Sequence, residues 1–301
     1  MHRRKKRKSG KLLPRVLIFA ILAVGLYVLA IAHSSNEEGA LVELRSPGTS
    51  DRRPANHPAG FPLFTAEVHV AELRHTQYLK LVNRQRPIAA PVDDARLTTV
   101  WPDIPARTTD VMLHETAFSA MRDLFAAAQN ANFHSLFIAS GYRSNDEQNR
   151  LYADAVDRAY VMPPGHSEHQ LGLAADILSG ADTPTMRGSE EARWLAEHAP
   201  QFGLILRYPE DKQAITGVPY EPWHFRYVGR VHAWYMGKHN FVLEEYIEYL
   251  QARGGYQTEF AGRSYYVLYQ QPKSGMIFVP EGLNFWVSSA NTGGYIVTAW
   301  R

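Results

Sequence analysis

The sequence of 301 residues contains no cysteine. Disulfide bonds and thiolate metal ligands are therefore excluded, and any metal ion must be held by histidine, aspartate or glutamate side chains. The chain also lacks a strong overall charge: its formal net charge is +2. The basic run within residues 2–15 is not interpreted as a nucleic-acid-binding arm, because an apolar stretch follows it directly. We predict a monomer that binds no nucleic acid.

Long apolar runs are scarce as well, and the clearest one is Val16–Ala32, 17 residues without a charge. Its length is at the short end of the about 17–25 residues that a membrane-spanning helix needs. Residues 2–15 hold eight Lys or Arg and no acid, and such basic flanks stay in the cytoplasm. We predict a basic cytoplasmic tail over 1–15 and a membrane anchor over 16–32. The rest of a single-pass protein would then lie outside the cytoplasm, at the cell membrane.

A cleaved signal peptide is the alternative for the same run. Ala30-Ile31-Ala32 has the small-x-small pattern of a cleavage site, and cleavage would make the protein secreted. Residues 33–62 are rich in Ser, Pro, Arg, Asn and Gly, which predicts a flexible linker. The folded part then begins near residue 63.

The pattern between residues 63 and 254 predicts short helices and strands. Apolar residues at helical spacing predict a helix over 115–130, and the capping-box pattern at Ser144 predicts a second helix that runs to about residue 159. The predicted fold class is α+β, a small antiparallel sheet with flanking helices. The strands are predicted from short apolar runs at 134–140, 171–178, 203–208 and 223–228.

The composition changes after residue 254. Short runs of β-forming residues alternate with turn residues over 255–301. We predict a small β-rich C-terminal extension that packs on the preceding domain, because so short a sheet is marginal by itself.

The strongest chemical signal is the segment PGHSEHQLGLAAD, residues 164–176. His169 and Asp176 lie seven residues apart within it, and His224 follows 48 residues after the aspartate. Two imidazoles and one carboxylate are the ligand set of a catalytic zinc site, which keeps one position open for water. The sequence therefore predicts Zn²⁺ held by these three side chains.

A spare carboxylate accompanies this ligand set. Glu221 lies three residues before His224, and it is the candidate general base for a metal-bound water. Residues three apart in a regular strand face opposite sides, so the chain must bend between them, and Pro222 permits this. Arg143 and Gln148 occupy positions that pack against each other at a helix start, and we expect both to face one site. A guanidinium there suits a carboxylate or a developing oxyanion.

Each of these residues has an ordinary interpretation by itself. The chain contains 13 histidines, so two of them near acids could arise by chance. Ser167 alone is typical of a turn, Trp223 alone of a core, and His166 is expected outside the ligand set. The combination in a fixed order is much harder to obtain by chance.

The motifs SGYRS–x3–Q, PGHSEHQLGLAAD and EPWHFRYVG closely resemble those of the VanY-type zinc D-alanyl-D-alanine carboxypeptidases, which share a fold with hedgehog domains. The resemblance covers about residues 65–253. It implies that the three proposed ligands bind zinc and that Glu221 is the base. It further implies that Arg143 stabilises the carbonyl oxygen and that Gln148 and Ser167 contact substrate. We add Trp223 to the substrate-binding residues.

The implied function is removal of the terminal D-Ala from peptidoglycan stem peptides by a zinc D,D-carboxypeptidase domain over residues 63–254. Two alternatives stay open at this level. One is a different bond, cleaved by an L,D-carboxypeptidase, a D,D-dipeptidase or an endopeptidase. The other is a non-catalytic, zinc-containing module that binds the cell wall.

Overall fold

The computed structural model describes residue 61 and residues 64–73, 75–88, 96–180 and 186–301. The predicted cytoplasmic tail, anchor and nearly all of the linker lie outside these ranges. No helix within them is long and apolar enough to cross a membrane.

The described chain contains twelve strands and six α-helices. The strands are β1 (Phe64–His69), β2 (Leu97–Thr99), β3 (Met112–His114), β4 (Leu136–Ser140), β5 (Ala174–Ser179), β6 (Leu204–Leu206), β7 (His224–Tyr227), β8 (Gly255–Phe260), β9 (Arg263–Gln270), β10 (Met276–Pro280), β11 (Asn284–Ser289) and β12 (Tyr295–Trp300). The helices are α1 (Glu115–Asn130), α2 (Asn145–Asp154), α3 (Glu190–His198), α4 (Gln213–Thr216), α5 (Arg230–His239) and α6 (Leu243–Arg253).

One four-stranded sheet has the order β4-β5-β7-β6, and every neighbouring pair of its strands is antiparallel. Helix α1 buries an apolar stripe that includes Met121 and Leu124, as its 3.6-residue spacing predicts. This stripe shares one core with Ile138, Ile177 and Phe225 from three of the strands. The predicted α+β class, a small antiparallel sheet with flanking helices, is confirmed.

Two predicted elements end earlier or begin later than expected. Helix α2 stops at Asp154 rather than near residue 159, because Ala155 adopts an extended conformation. The following loop is held in its own shape, since Arg84 donates to the carbonyls of Ala159 at 3.2 Å and Val161 at 3.4 Å. Strand β5 begins only at Ala174, because a 3-10 helix over Glu168–Leu171 precedes it.

The β-rich C-terminal segment is also confirmed, as an antiparallel sheet in the order β11-β12-β9-β8. Helices α5 and α6 pack against it through a core that includes Tyr246 and Val267. Strand β1 pairs with β10, so Phe64 shares a core with Tyr266 and Ile277. The beginning of the folded chain therefore packs into its C-terminal sheet. The boundary between residues 254 and 255 stays a prediction.

Candidate metal centre and its two cavities

The antiparallel sheet places two of the predicted ligands side by side. Asp176 on β5 is the direct cross-strand partner of His224 on β7. His169 approaches from the 3-10 helix, which ends at Gly172 in the left-handed conformation with φ 66°. A Cβ at Gly172 would also lie 3.1 Å from the backbone nitrogen of His114, so both the left-handed conformation and the close approach favour glycine.

The three side chains form a compact donor cluster, and their ligand atoms all lie within 4.8 Å of one another. Asp176 Oδ1 lies 3.4 Å from His169 Nε2 and 3.1 Å from His224 Nδ1. Tetrahedral ligands at the usual zinc distances of ~2.0–2.2 Å are separated by roughly 3.4 Å. The donor types and their spacing therefore fit a zinc ion.

The second ring nitrogen of His169 is oriented by the backbone. Nδ1 donates to the carbonyl of Gly141 at 2.7 Å, which leaves Nε2 to face the cluster. Gly141 itself lies so close to Met112 that a Cβ at Gly141 would stand 2.3 Å from the Met112 carbonyl oxygen. Ligating histidines commonly donate their other N–H to an acceptor in this way, which fixes the ring and its tautomer.

His224 is oriented by a carboxylate that the sequence-based interpretation missed. Its Nε2 lies 3.4 Å from Glu168 Oε2, so Nδ1 faces the cluster. Glu168 is fully enclosed, and its other oxygen accepts from Arg207 at 2.9 Å and lies 3.2 Å from Arg226 Nη1. Arg207 and Arg226 are both 0% exposed. This set of four side chains (His224, Glu168, Arg207 and Arg226) is called the arginine side of the centre below.

The arginine side is connected to helix α6. Arg207 donates to both oxygens of Glu244, at 2.7 and 2.8 Å, and Asn83 donates to the same carboxylate at 3.2 Å. The signal available in the sequence was a charged residue within or beside an apolar strand, as with Arg207 after β6 and Arg226 in β7. A buried charge of this kind requires a partner.

The pKa values at the cluster follow from burial and charged neighbours. Burial alone would raise the pKa of Asp176, yet His169, His224 and Arg143 hold it well below its usual range. Burial, reinforced by Arg143, lowers the pKa of His169 to about 4. Burial opposes protonation of His224 as well, but its hydrogen bonds to Asp176 and Glu168 raise its pKa to about 9 in the metal-free protein. A metal ion that binds Nδ1 must therefore displace a proton.

Glu221 reaches the same cluster from a turn. The amide of His224 donates to its carbonyl at 3.2 Å, so the chain bends over Pro222 and Trp223, as predicted. Its Oε2 lies 3.7 Å from His224 Nδ1, beside the donor atoms. Burial, reinforced by Asp176 and opposed by His224, raises the pKa of Glu221 to about 8.

Arg143 lies at the end of β4 and spans the site. It donates to Asp176 Oδ2 at 2.9 Å, to Ser140 Oγ at 2.9 Å and to Gln148 Oε1 at 3.4 Å. Gln148 is 0% exposed, and its amide donates to the Met162 carbonyl at 2.7 Å. Gln148 lies outside the lining of both cavities described next, so its substrate contact stays a prediction.

Two cavities meet at the cluster, and Arg143, Asp176 and Trp223 line both of them. The smaller cavity has a volume of about 80 Å³ and is also lined by Ser167, Glu221, His169 and His224. The open groove is larger, about 360 Å³, and runs from the same residues along strand β4. His166, expected outside the ligand set, donates instead to the carbonyl of Asn83 at 2.8 Å.

Known proteins resemble this chain in sequence and fold. The family described as "VanY: D-alanyl-D-alanine carboxypeptidase" matches residues 110–230. A D-alanyl-D-alanine carboxypeptidase of Enterococcus faecium is 43% identical over 164 residues, which cover 54% of this chain and 53% of that relative. The chain therefore spans about half the length of that protein.

Two further relatives match over nearly their whole length. VanXYC of Enterococcus gallinarum, a bifunctional D-Ala-D-Ala dipeptidase and D-Ala-D-Ala carboxypeptidase, is 35% identical over 185 residues, which cover 57% of this chain and 94% of the relative. The solved structure of the vancomycin resistance D,D-dipeptidase VanXYg, in complex with a D-Ala-D-Ala phosphinate analogue, superposes with a TM-score of 0.68 at 30% identity. The superposition covers 78% of this chain and 98% of the VanXYg chain. The fold is that of the D-Ala-D-Ala peptidase class. The chain belongs to the VanY family.

Proposed function

We propose that this protein is a zinc-dependent D-alanyl-D-alanine carboxypeptidase that removes the terminal D-Ala from peptidoglycan stem peptides. The carrying observation is the donor cluster of His169, Asp176 and His224 at the junction of two cavities, with Glu221 and Arg143 beside it. A zinc ion, when bound, would supply a Lewis acid that polarises the carbonyl and acidifies water.

Glu221 is the group that moves protons. As a carboxylate it accepts a proton from the attacking water, whose oxygen bonds to the peptide carbonyl carbon. When the C–N bond breaks, the same carboxyl group returns a proton to the leaving amine. A pKa raised to about 8 allows both steps near neutral pH, and a cation at the neighbouring ligands would favour the carboxylate form.

Arg143 is placed to stabilise negative charge on the carbonyl oxygen. Its guanidinium lines both cavities and is only partly exposed, so it is preorganised beside Asp176 before substrate arrives. Ser140 and Gln148 restrict its rotation. The oxyanion would therefore form next to a donor that needs little rearrangement.

The smaller cavity supports cleavage of a single small terminal residue. Its volume of about 80 Å³ is well below the ~300–1,000 Å³ of ordinary ligand pockets. Ser167 and Trp223 line it, so both can contact a terminal D-Ala, as proposed from the sequence. The longer part of the peptide would then leave through the open groove.

The test is D-Ala release from a pentapeptide that ends in D-Ala-D-Ala, measured with zinc-loaded protein. We expect turnover that disappears on chelation and returns with zinc. A protein that is folded and fully loaded with zinc but releases no D-Ala would overturn the proposal. The non-catalytic binding module considered from the sequence would then be favoured.

A second candidate is D,D-dipeptidase activity, because VanXYC is bifunctional and the VanXYg structure is that of a D,D-dipeptidase. Free D-Ala-D-Ala offered beside the pentapeptide separates the two activities. A tetrapeptide that ends in a single D-Ala tests the L,D-carboxypeptidase alternative in the same experiment. Mass spectrometry of the products identifies the bond that is cleaved.

The proposed location is the outer face of the cell membrane. It rests on the basic flank and the uncharged run Val16–Ala32. Fractionation of cells that express the full chain should recover the protein with membranes. Recovery of a shortened protein from the medium would favour the cleaved signal peptide.

A further inference from the structure

The open groove is continuous with the metal centre but has its own chemistry. It begins at Arg143, Asp176 and Trp223 and has a volume of about 360 Å³, which lies in the range of ligand pockets. Leu151 and Leu178 add apolar surface to its lining. A peptide whose last residue fills the smaller cavity can extend into this groove.

Arg107 stands on the wall of the groove and is held there by its backbone. Its amide donates to the Ile138 carbonyl at 2.9 Å, and the Ile138 amide donates back to Pro105 at 2.9 Å. The guanidinium lies 6.0 Å from the ring centre of Phe137, on the edge strand β4. The charge is thus positioned at the groove while remaining exposed to solvent.

Glu147 supplies the opposite charge on the same groove, from the first turn of helix α2. Its backbone amide donates to Ser144, so its Cα position is fixed by the helix cap. In the part of the chain that the structure describes, neither Arg107 nor Glu147 forms an ion pair. Exposed charges beside a cleft, with no ion-pair partner among the described residues, are available to a ligand.

We propose that this groove binds the part of the peptide that precedes the scissile bond, with Arg107 binding a carboxylate and Glu147 an ammonium group there. The inference rests on the proposed function and names its substrate class. The preferred residue before D-Ala-D-Ala would be a diamino acid with a free side-chain carboxylate, such as diaminopimelate. Lysine would satisfy only Glu147, and norleucine would satisfy neither charge.

The test compares kcat/KM for three pentapeptides that differ only in this residue: diaminopimelate, lysine or norleucine. We expect Arg107→Ala to lower the diaminopimelate-to-lysine ratio of kcat/KM about threefold to fivefold, because exposed ion pairs contribute modestly. The change should lie mainly in KM. Glu147→Gln should lower the lysine-to-norleucine ratio by a similar factor. Both effects should weaken at high salt.

Arg150→Ala is the matched control, since Arg150 is an exposed arginine on the same helix and lies outside the lining of both cavities. Its ratios should equal those of the wild type. Unchanged ratios in Arg107→Ala as well would overturn the proposal for the carboxylate.

A binding measurement separates this inference from the proposed function. Calorimetric titration of the three peptides into zinc-loaded Glu221→Gln protein, with and without Arg107→Ala, reports the groove without turnover. If the wild type releases no D-Ala but the affinity ratios shift as described, the carboxypeptidase proposal fails and the groove assignment stands. Equal affinities in both proteins would reject the groove assignment.

Discussion

His224 lies between two carboxylates that behave in opposite ways. On the arginine side, Glu168 is 3.4 Å from Nε2, and on the cavity side, Glu221 is 3.7 Å from Nδ1. Burial alone would raise the pKa of both carboxyl groups. Arg207 and Arg226 hold the pKa of Glu168 well below its usual range, whereas that of Glu221 rises to about 8.

The difference shows how one fold assigns two tasks to the same side-chain type. Glu168 stays charged across the neutral range, so it is a constant acceptor for the His224 ring. Glu221 can gain and lose a proton near neutral pH, as a base that later acts as an acid must. The neighbouring arginines, rather than the depth of burial, make the pKa values of Glu168 and Glu221 differ.

The largest effect is expected from Glu221→Gln, which keeps the shape of the cavity side but removes its base. We expect kcat for D-Ala release to fall by about 10²–10⁴. Zinc content, measured by mass spectrometry of the metal, should stay at the wild-type level. Activity within tenfold of the wild type would show that another group acts as the base.

Glu244→Gln removes the carboxylate on helix α6 that holds Arg207 of the arginine side. Arg207 then keeps only one of its two buried carboxylate partners, Glu168, and we expect the free energy of unfolding of the metal-free protein to fall by about 3 kcal/mol. Urea denaturation measures this loss. A loss below ~1 kcal/mol would show that Glu168 alone suffices to hold Arg207.

Glu168→Gln removes the carboxylate that faces His224, one of the three candidate metal ligands. Zinc affinity should fall by about 10–100-fold, because the His224 ring loses its charged acceptor. Competition with a chelating dye measures the affinity. Glu244→Gln serves as the control, since it removes the other carboxylate partner of Arg207 and makes no contact with His224. Equal losses in both variants would reduce the role of Glu168 to general stability.

The smallest effect is a pH dependence of the metal-free protein. Folded pKa values raised from their unfolded values, to about 8 for Glu221 and about 9 for His224, give stability that is lost as pH rises. Between pH 6.5 and 8 both groups contribute to this loss, on the order of 1 kcal/mol each. His169, whose pKa is lowered to about 4, acts only below pH 6.5.

Glu221→Gln sharpens this test because glutamine does not titrate. The decline in the free energy of unfolding between pH 6.5 and 8 should be about half as steep in this variant. Chemical denaturation in the presence of a chelator, at a series of pH values, measures both slopes. Identical slopes would mean that Glu221 is already ionised in the metal-free protein.

Residue types and local spacing were sufficient to predict which side chains cluster at the candidate metal centre. The identities of the donor set followed from ligand chemistry in a chain without cysteine, and the turn before His224 followed from Pro222. Helix α1 followed from its apolar period, and its bounds agree with the prediction. These features depend on neighbours a few residues apart, which a sequence displays directly.

Only the tertiary structure decided what surrounds the donors. Glu168 meets Arg207 across 39 positions of sequence, and Arg207 meets Glu244 across 37. Strand β1 pairs with a strand more than 200 residues away. Such contacts arise from packing, because a buried charge accepts whichever opposite charge the fold brings to it. The sequence by itself determined which side chains can bind a metal and transfer a proton, while long-range packing decided which carboxylate orients the ligand and which one titrates.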